Sequence, residues 1–178
     1  MLTNDAAPVS REPRDEPLSP ALLRDIGLFG ALADHVLDHL ARSLKTARVA
    51  AGDTVFREGD GGGHEMFVVL DGEMEVTKRS RRGRDVRIAI LGPPDWFGEM
   101  SVLDMQARSA TVRALGPSRL IRFTSEDMDA VYRFDLKSYA LIVLNIARDL
   151  SRRLRVTDGI LADFTVNVLE EYVGSAKR

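Results

Sequence analysis

The sequence predicts an α+β domain in which an antiparallel, jelly-roll-like β-roll is flanked by N-terminal helices and a long C-terminal helix. Two observations support this class. Between residues 46 and 123, short β-prone runs alternate with Gly, Asp and Pro turns, a spacing typical of an all-β roll. On either side, at 19–44 and from 125 to about 172, the sequence favours helices. A chain of 178 residues suits one core, so no second compact domain is required.

The chain is expected to divide into three segments. Residues 1–18 are predicted to be a flexible tail, because three prolines stand among mixed charges. Residues 19–135 hold the roll and its N-terminal helices, and residues 136–178 form the C-terminal helix. The first helix is predicted to begin at Ser19-Pro20, since serine caps a helix N-terminus and proline fits its first turn.

Within the middle segment, seven runs rich in β-prone residues are predicted to be strands. They are residues 48–49, 54–56, 66–70, 74–77, 86–91, 111–115 and 120–123. The glycine-rich turn at 59–63 lacks the Gly-Lys-Ser/Thr of a phosphate loop, so a hairpin connection is predicted there. After the roll, a helical region is predicted to open at Ser125 and to continue to about Tyr172.

The composition excludes several classes of function. The net charge is −2, so nothing overall demands nucleic acid or an anionic membrane as a partner. The absence of cysteine removes disulfides, thiol nucleophiles and iron–sulfur clusters. No apolar run approaches the ~18 residues of a membrane span, and the first residues do not read as a secretory signal. We therefore expect a cytoplasmic protein.

Two further clusters favour plain interpretations. His35 and His39 stand one helical turn apart, but no third ligand follows at a suitable interval, so no metal site is predicted. The basic run from Lys78 to Arg87 lacks interleaved aromatic residues and favours a solvated hairpin loop. Docking of this run to an acidic partner or to nucleic acid is the alternative. No nucleophile-elbow pattern is found, so the protein is not expected to be an enzyme.

The most informative stretch is 97–103, which reads Phe-Gly-Glu-Met-Ser-Val-Leu and is followed at 107–112 by Ala-Arg-Ser-Ala-Thr-Val. Gly98 lets the backbone approach a ligand closely because it has no Cβ. Glu99 supplies only acceptors, which suits a ribose hydroxyl. Arg108 offers a planar fork of donors that pairs bidentately with phosphate oxygens. Together these residues predict a sugar-phosphate site.

This order of residues resembles the phosphate-binding cassette of the cyclic-nucleotide-binding domain family, which includes catabolite activator protein and the regulatory subunits of protein kinase A. The family pattern reads Phe-Gly-Glu, a small residue and apolar positions, then Arg-Ser/Ala/Thr-Ala-Thr. The segments 51–60 and 66–76 are similar to the family's opening strands, and the likeness runs from about Leu28 to about Asp158. The resemblance implies a β-roll whose ligand is a cyclic mononucleotide, cAMP or cGMP, with no cofactor.

The resemblance also implies roles for individual residues. Glu99 would bind the ribose 2′-hydroxyl and Arg108 the cyclic phosphate. Val76 and Ile88 would form part of the apolar wall against the base, and Thr157 would contact the base. The full set of implied ligand-binding residues is Gly98, Glu99, Met100, Arg108, Ser109, Ala110, Val76, Ile88, Arg153, Thr157 and Asp158.

Asp158 departs from the serine that follows the base-contacting threonine in catabolite activator protein. A carboxylate can accept hydrogen bonds from N1–H and N2–H of guanine, whereas adenine offers only its N6 amine. Ser109 is compatible with either base. The choice between cAMP and cGMP therefore stays open.

The C-terminal helix is predicted to form a homodimer. Steps of four and three residues trace a coiled-coil seam through Val143, Ala147, Leu150, Leu154, Thr157, Leu161, Phe164 and Val168. Packing of the early part of this stripe on the roll is the alternative. Only twenty residues follow Asp158, so a helix-turn-helix domain is not expected in this chain.

Three functions stay open on the sequence. The first is a non-enzymatic cyclic-nucleotide sensor that acts through an unidentified protein partner or through a rearrangement of the dimer. The second is the sensory part of a truncated DNA-binding regulator, and the third is an interaction module of the same fold that binds no nucleotide. The intact pair of Glu99 and Arg108 favours the first.

Overall fold

In the computed structural model, residues 17–175 are described, with side chains described for residues 17–166. The predicted tail lies outside the described residues except for its last two positions. The described chain follows the predicted order of N-terminal helices, β-roll and C-terminal helices.

The N-terminal helices begin as the sequence predicts. Ser19 Oγ accepts a hydrogen bond of 3.2 Å from the Leu22 N–H, and Pro20 stands in the first turn. The segment comprises helix α1 (Pro20–Arg24), a 3-10 turn (Gly27–Phe29) and helix α2 (Asp34–Ser43).

The roll contains all seven predicted strands and one further short strand. In the described residues these are β1 (Lys45–Val49), β2 (Thr54–Phe56), β3 (Glu65–Asp71), β4 (Met74–Arg79), β5 (Asp85–Leu91), β6 (Trp96–Phe97), β7 (Thr111–Ala114) and β8 (Ser118–Thr124). Strand β6 was not predicted, because a two-residue strand carries no alternation of apolar and polar residues. Helix α3 (Glu99–Asp104) follows it directly.

The strands form two antiparallel sheets whose facing sides build one core. The strand order is β1-β8-β3-β6 in one sheet and β2-β7-β4-β5 in the other. Phe67 and Val69 of β3 pack between the sheets, whereas Met66 and Val68 face a second core beneath the helices. Strand β3 is thus buried on both faces, which explains its continuous apolar run.

The glycine-rich segment at 59–63 corrects one prediction. It connects β2 to β3, and these strands belong to different sheets, so the segment crosses between sheets and is not a hairpin connection. The basic run does form a hairpin, in which the Ser80 N–H donates to the Arg84 carbonyl at 2.7 Å between β4 and β5.

The C-terminal helical region begins at Ser125, as predicted, but it is interrupted after Phe134. The cap is Thr124 instead of Ser125: Thr124 Oγ1 accepts from the Asp127 N–H, and the Asp127 carboxylate accepts from the Thr124 N–H. Helix α4 (Ser125–Phe134) ends at Asp135, after which helix α5 (Leu136–Ser175) runs for 40 residues.

The first half of the predicted coiled-coil seam on α5 packs mainly against the domain's own core instead of lying exposed. Val143 and Leu150 pack against the core beneath the helices, and the exposed apolar residue in this half is Leu144. Beyond residue 153 the helix leaves the roll, and Leu161 and Phe164 are 61% and 64% exposed. The side chain of Val168 lies outside the described residues.

Candidate functional site

The predicted cassette spans the end of β6, helix α3 and the loop that leads to β7. Gly98 joins β6 to α3 with a φ of 85°, in the left-handed region that favours glycine. A Cβ at Gly98 would lie 3.0 Å from Arg108 Nη1 and 3.0 Å from the Glu65 carbonyl oxygen. Glycine is therefore required both for the backbone conformation and for the close packing of the Arg108 guanidinium.

The guanidinium of Arg108 is buried and held by protein acceptors. Its Nη1 donates to the Glu65 carbonyl at 2.6 Å and to Ser101 Oγ at 2.7 Å, and its Nη2 donates to the Gly63 carbonyl. The guanidinium carbon lies 4.1 Å from the centroid of the Phe56 ring, within the range of a cation–π interaction. These contacts fix both the position and the orientation of the charge.

Burial affects the pKa of Arg108, and the protein contacts leave some of its N–H donors unused. Burial lowers the pKa of the Arg108 guanidinium from its ordinary value, and the charges of Glu65 and Asp60 oppose the shift. The guanidinium stays protonated, because arginine is not deprotonated in proteins. Its Nε–H makes no hydrogen bond to the residues the structure describes. Part of the donor fork is thus uncommitted.

The glycine-rich crossing holds the backbone of Arg108 as well as its side chain. The Gly59 N–H donates to the Arg108 carbonyl at 2.9 Å, and the Arg108 N–H donates to the Asp60 carbonyl at 3.0 Å. The carbonyl of Gly63 accepts from the guanidinium. The segment that the sequence excluded as a phosphate loop therefore positions the arginine that is predicted to bind phosphate.

Glu99 lies at the start of α3 and is 4% exposed. Its Oε1 is 3.7 Å from Arg153 Nη1, and its Oε2 is buried without a hydrogen-bond partner among the described residues. Burial raises the pKa of the Glu99 carboxyl above its ordinary value; the charge of Arg153 lowers the pKa, and that of Asp149 raises it. Burial has the larger effect on this pKa. Because Oε2 has no hydrogen-bond partner among the described residues, the carboxyl group lacks a full set of donors.

Arg153 links this carboxylate to the C-terminal helix. Its Nε lies 2.7 Å from Asp149 Oδ2 on α5, and its Nη2 donates to the Trp96 carbonyl at 2.8 Å. Glu99 lies 3.7 Å from the same guanidinium. One side chain of α5 therefore contacts both β6 and the cassette helix.

The structure places Met100, Ser109 and Ala110 at the rim of the cassette. Ser109 is exposed, and its hydroxyl lies 3.5 Å from the sulfur of Met100, which is 44% exposed. Ala110 is buried. Ser109 thus offers both its hydroxyl and its backbone at the surface beside Arg108.

The two predicted wall residues fall in different environments. Val76 packs against the core between the sheets, and its cross-strand neighbour on β5 is Ala89. Ile88 lies at the register shift opposite Val76 and Thr77 and is 57% exposed. Ala89 is therefore the residue beside Val76 on the inner face. A β-bulge moves Ile88 out of this position, and spacing in the sequence does not reveal the bulge. Contact of Val76 and Ile88 with a base stays a prediction.

Thr157 and Asp158 are exposed on α5, about one turn beyond Arg153. The Thr157 hydroxyl donates to the Arg153 carbonyl of its own helix at 2.9 Å. No hydrogen bond among the described residues joins Thr157 or Asp158 to the cassette. The contact of Thr157 and Asp158 with a base stays a prediction.

Lys78 and Glu58 border the cassette, and the sequence did not predict a role for either residue. Lys78 Nζ donates to the Ser109 carbonyl at 2.6 Å and lies 3.4 Å from Glu58 Oε1. The Arg79 N–H donates to Glu58 Oε2 at 2.7 Å, and this bond, with the charge of Lys78, lowers the pKa of Glu58 below its ordinary value. No sequence signal separates Lys78 from the arginines that follow it in the same basic run.

His35 and His39 lie against an aromatic ring of helix α4. The ring of His39 stacks on Phe134 with centroids 4.5 Å apart, and His35 lies 5.7 Å from the same ring. Among the described residues, no group of three or more His, Asp or Glu side chains could hold a metal ion. Within that same part of the chain, none of the helices combines the length and the apolar character needed to cross a membrane.

Comparison with known protein families identifies the family to which the chain belongs. Residues 46–134 match the family described as cyclic nucleotide-binding domain. The matched segment runs from β1 to the end of α4 and includes the whole cassette from Gly98 to Ala110. The chain therefore belongs to the cyclic nucleotide-binding domain family, as the resemblance of its motifs implied.

Several relatives extend the likeness into α5. The CRP-like cAMP-activated global transcriptional regulator of Mycobacterium tuberculosis is 30% identical over 142 residues, 80% of this chain and 61% of the relative. The structure of Thermus thermophilus catabolite activator protein matches with a TM-score of 0.68 and 31% identity, over 78% of this chain and 63% of that one. The N-terminal domain of a transcriptional regulator from Streptomyces coelicolor A3(2) matches with a TM-score of 0.65 and 30% identity, over 76% and 93%. The chain spans about three-fifths of the length of the curated relatives it matches.

The burial of Glu99 leads to a prediction about stability. Glu99→Gln should raise the free energy of unfolding, measured without nucleotide at pH 7, by about 1 kcal/mol, because it removes a buried charge with an unpartnered oxygen. A carboxyl whose folded-state pKa is raised stabilises the fold fully below its unfolded pKa and loses that contribution as the pH rises. The gain should therefore vanish at about pH 4 and grow above the ordinary value of 4.5.

Chemical denaturation of both proteins from pH 4 to pH 8 measures this difference. Aspartate in place of Glu99 is a suitable control, because it keeps the charge and shortens the side chain. A variant less stable than the wild type at every pH would mean that the contact with Arg153 outweighs the burial of the charge.

Proposed function

We propose that this chain is a non-enzymatic sensor of a cyclic mononucleotide, cAMP or cGMP, and that it signals through protein contacts or through rearrangement of a dimer. The membership of the family supports nucleotide binding as the general activity. The choice of nucleotide, the dimer and the mode of signalling belong to the proposal.

The observation that carries the proposal is the buried carboxylate of Glu99. An acceptor without a donor is unfavourable in a protein interior, and ligand hydroxyls are the donors that would satisfy Oε2. A ribose presents such a hydroxyl next to its phosphate. Glu99 lies directly after Gly98, against which the Arg108 guanidinium packs. A hydroxyl of one ligand could therefore donate to Glu99 while the phosphate oxygens of the same ligand accept from Arg108.

Arg108 supports the same assignment from the phosphate side. The protein fixes the guanidinium through Nη1 and one Nη2 contact, which leaves Nε–H and the second Nη2 hydrogen for an anion. Nε–H and one Nη2 hydrogen share an edge of the guanidinium, and that edge matches two oxygens of a phosphate. Ser109 adds an exposed hydroxyl beside them.

The coupling of ligand to signal would pass through Arg153. It contacts Glu99, which would bind the ribose, and it belongs to α5, which carries the exposed apolar residues. A ligand that changes the partners of Glu99 changes the contact between cassette and helix. Such a difference in contacts between two states is what a ligand needs to shift an equilibrium.

A second candidate function is the sensory part of a longer DNA-binding regulator. It is favoured by the likeness to the Mycobacterium tuberculosis relative, a cAMP-activated transcriptional regulator of which the chain covers 61%. The two candidates share the nucleotide site and differ in output. A longer reading frame at the same locus would favour the regulator.

The first prediction of this proposal concerns ligand binding. Thermal shift of the purified protein should show stabilisation by cAMP or cGMP, about 2.7 kcal/mol at a hundred times the Kd. Arg108→Ala should lose charge-assisted bonds to the phosphate and weaken affinity about 10- to 150-fold. Arg108→Lys should recover part of the loss, because an ammonium keeps the charge without the planar fork.

Circular dichroism of each variant without nucleotide provides the control for folding. An Arg108→Ala variant that folds and binds with wild-type affinity would refute the phosphate assignment. A wild-type protein that neither cAMP nor cGMP stabilises would support the alternative of an interaction module that binds no nucleotide.

The second prediction concerns the base. If Asp158 accepts from the two donors of guanine, cGMP should bind about tenfold more tightly than cAMP, and Asp158→Ser should reduce the difference. Isothermal titration with both nucleotides gives the ratio directly. Asp163→Ser is a matched control, since Asp163 is exposed on the same helix beyond the site. A cAMP preference that Asp158→Ser leaves unchanged would contradict the role of Asp158.

The third prediction concerns assembly. Beyond the roll, α5 exposes Leu154, Leu161 and Phe164 at 60–64%, and a symmetric partner helix would cover them. Replacing Leu161 and Phe164 with Glu should therefore give monomers in light scattering while the roll stays folded. Leu115→Glu, at an exposed leucine outside α5, should leave the assembly unchanged. A wild-type protein that is monomeric at tens of micromolar, with and without nucleotide, would contradict the dimer.

A further inference from the structure

The cassette is bordered by a second cation that is more accessible than Arg108. Arg108 is 5% exposed and spends three of its hydrogen bonds on Gly63, Glu65 and Ser101. The side chain of Lys78 is 51% exposed, and its Nζ lies 2.6 Å from the carbonyl oxygen of Ser109. The ammonium therefore stands next to the residue that follows the phosphate-binding arginine.

The strand register fixes the direction of the Lys78 side chain. Alternate residues of a strand share a face, so Lys78 lies on the same side of β4 as Val76, which packs against the core between the sheets. Its cross-strand neighbour is Val86, just as Ala89 is the neighbour of Val76. The inner face of the hairpin thus carries an apolar pair followed by a lysine toward the tip.

The contact between Lys78 and Glu58 is weak enough for a ligand to replace it. Glu58 Oε1 lies 3.4 Å away, which is long for a charge-assisted hydrogen bond, and the pair is partly exposed to solvent. Glu58 itself is held in place independently, because the Arg79 N–H donates to its Oε2 at 2.7 Å. A phosphate oxygen could replace Glu58 at the ammonium without disturbing the position of Glu58.

We propose that Lys78 is a second phosphate-binding residue, whose ammonium contacts one of the two exocyclic oxygens of the cyclic phosphate that the fork of Arg108 also binds. This inference rests on the proposed function. A lysine suits the role, because its ammonium is a compact charge on a flexible stem that can shift from Glu58 to a ligand. The site therefore pairs a buried, immobile cation with an exposed, adaptable one, and it selects ligands with an ionised phosphodiester.

The test compares Lys78→Met, Lys78→Arg and the control Lys45→Met, an exposed lysine of β1 in the other sheet. Affinities are measured for whichever of cAMP and cGMP binds the wild type more tightly. Lys78→Met should weaken binding about 5- to 20-fold, the loss of one solvent-screened, charge-assisted bond. Lys78→Arg should restore most of the affinity, and Lys45→Met should have no effect.

The two phosphorothioate diastereomers of that nucleotide separate contact from positioning. Each carries sulfur in place of one exocyclic oxygen, so a cation that binds a single oxygen discriminates between them. Lys78→Met should change the ratio of the two affinities at least about threefold, since one charge-assisted contact is lost for one oxygen alone. A lysine that merely holds the Ser109 carbonyl would weaken both diastereomers equally.

The outcomes distinguish this inference from the function on which it rests. Wild-type protein that binds neither nucleotide refutes the proposed function and this inference with it. Binding by the wild type with an unchanged affinity in Lys78→Met, or with an unchanged ratio of diastereomers, refutes the role of Lys78 alone.

Discussion

The cassette depends on the way in which the fold holds the Arg108 guanidinium. Three acceptors from separate segments converge on it: the Gly63 carbonyl from the crossing between sheets, the Glu65 carbonyl from β3 and the Ser101 hydroxyl from α3. A buried charge is tolerated only where hydrogen bonds replace its hydration. The same contacts that make burial possible therefore fix the arginine before a ligand arrives, and Gly98 leaves the space for it.

Glu99 and Arg108 are both buried, but their surroundings differ in one respect that matters for function. Arg108 has protein acceptors for its inner donors, whereas Glu99 has an unpartnered oxygen and a cation 3.7 Å away. The arginine is thus satisfied by the fold, and the carboxylate is left short of donors. Stability given up at one group of a binding site is a common feature of proteins whose function needs that group.

Residue patterns predicted the parts of this molecule that local chemistry decides. The strands, the cap at Ser19 and the cassette sequence could all be predicted, because each depends on residue types at short spacing. The carbonyl acceptors of Arg108 could not, since a backbone carbonyl carries no residue signature, and Glu65 and Gly63 are 43 and 45 residues away along the chain. The bulge that puts Ala89 beside Val76 was hidden for a related reason, because register is set by pairing between strands.

If Asp158 contacts the base and α5 forms the proposed dimer, the position of Asp158 would connect the choice of base to the state of assembly. The residue is exposed on the part of α5 that extends beyond the roll, so within one chain a base that reached it would keep one face in water. A second helix covering Leu161 and Phe164 would also enclose this region and remove water from the carboxylate. Enclosing a carboxylate is unfavourable unless donors are supplied, and guanine supplies two where adenine supplies one. In a dimeric sensor, the base that best satisfies Asp158 would therefore also be the one that best stabilises the closed pair of helices.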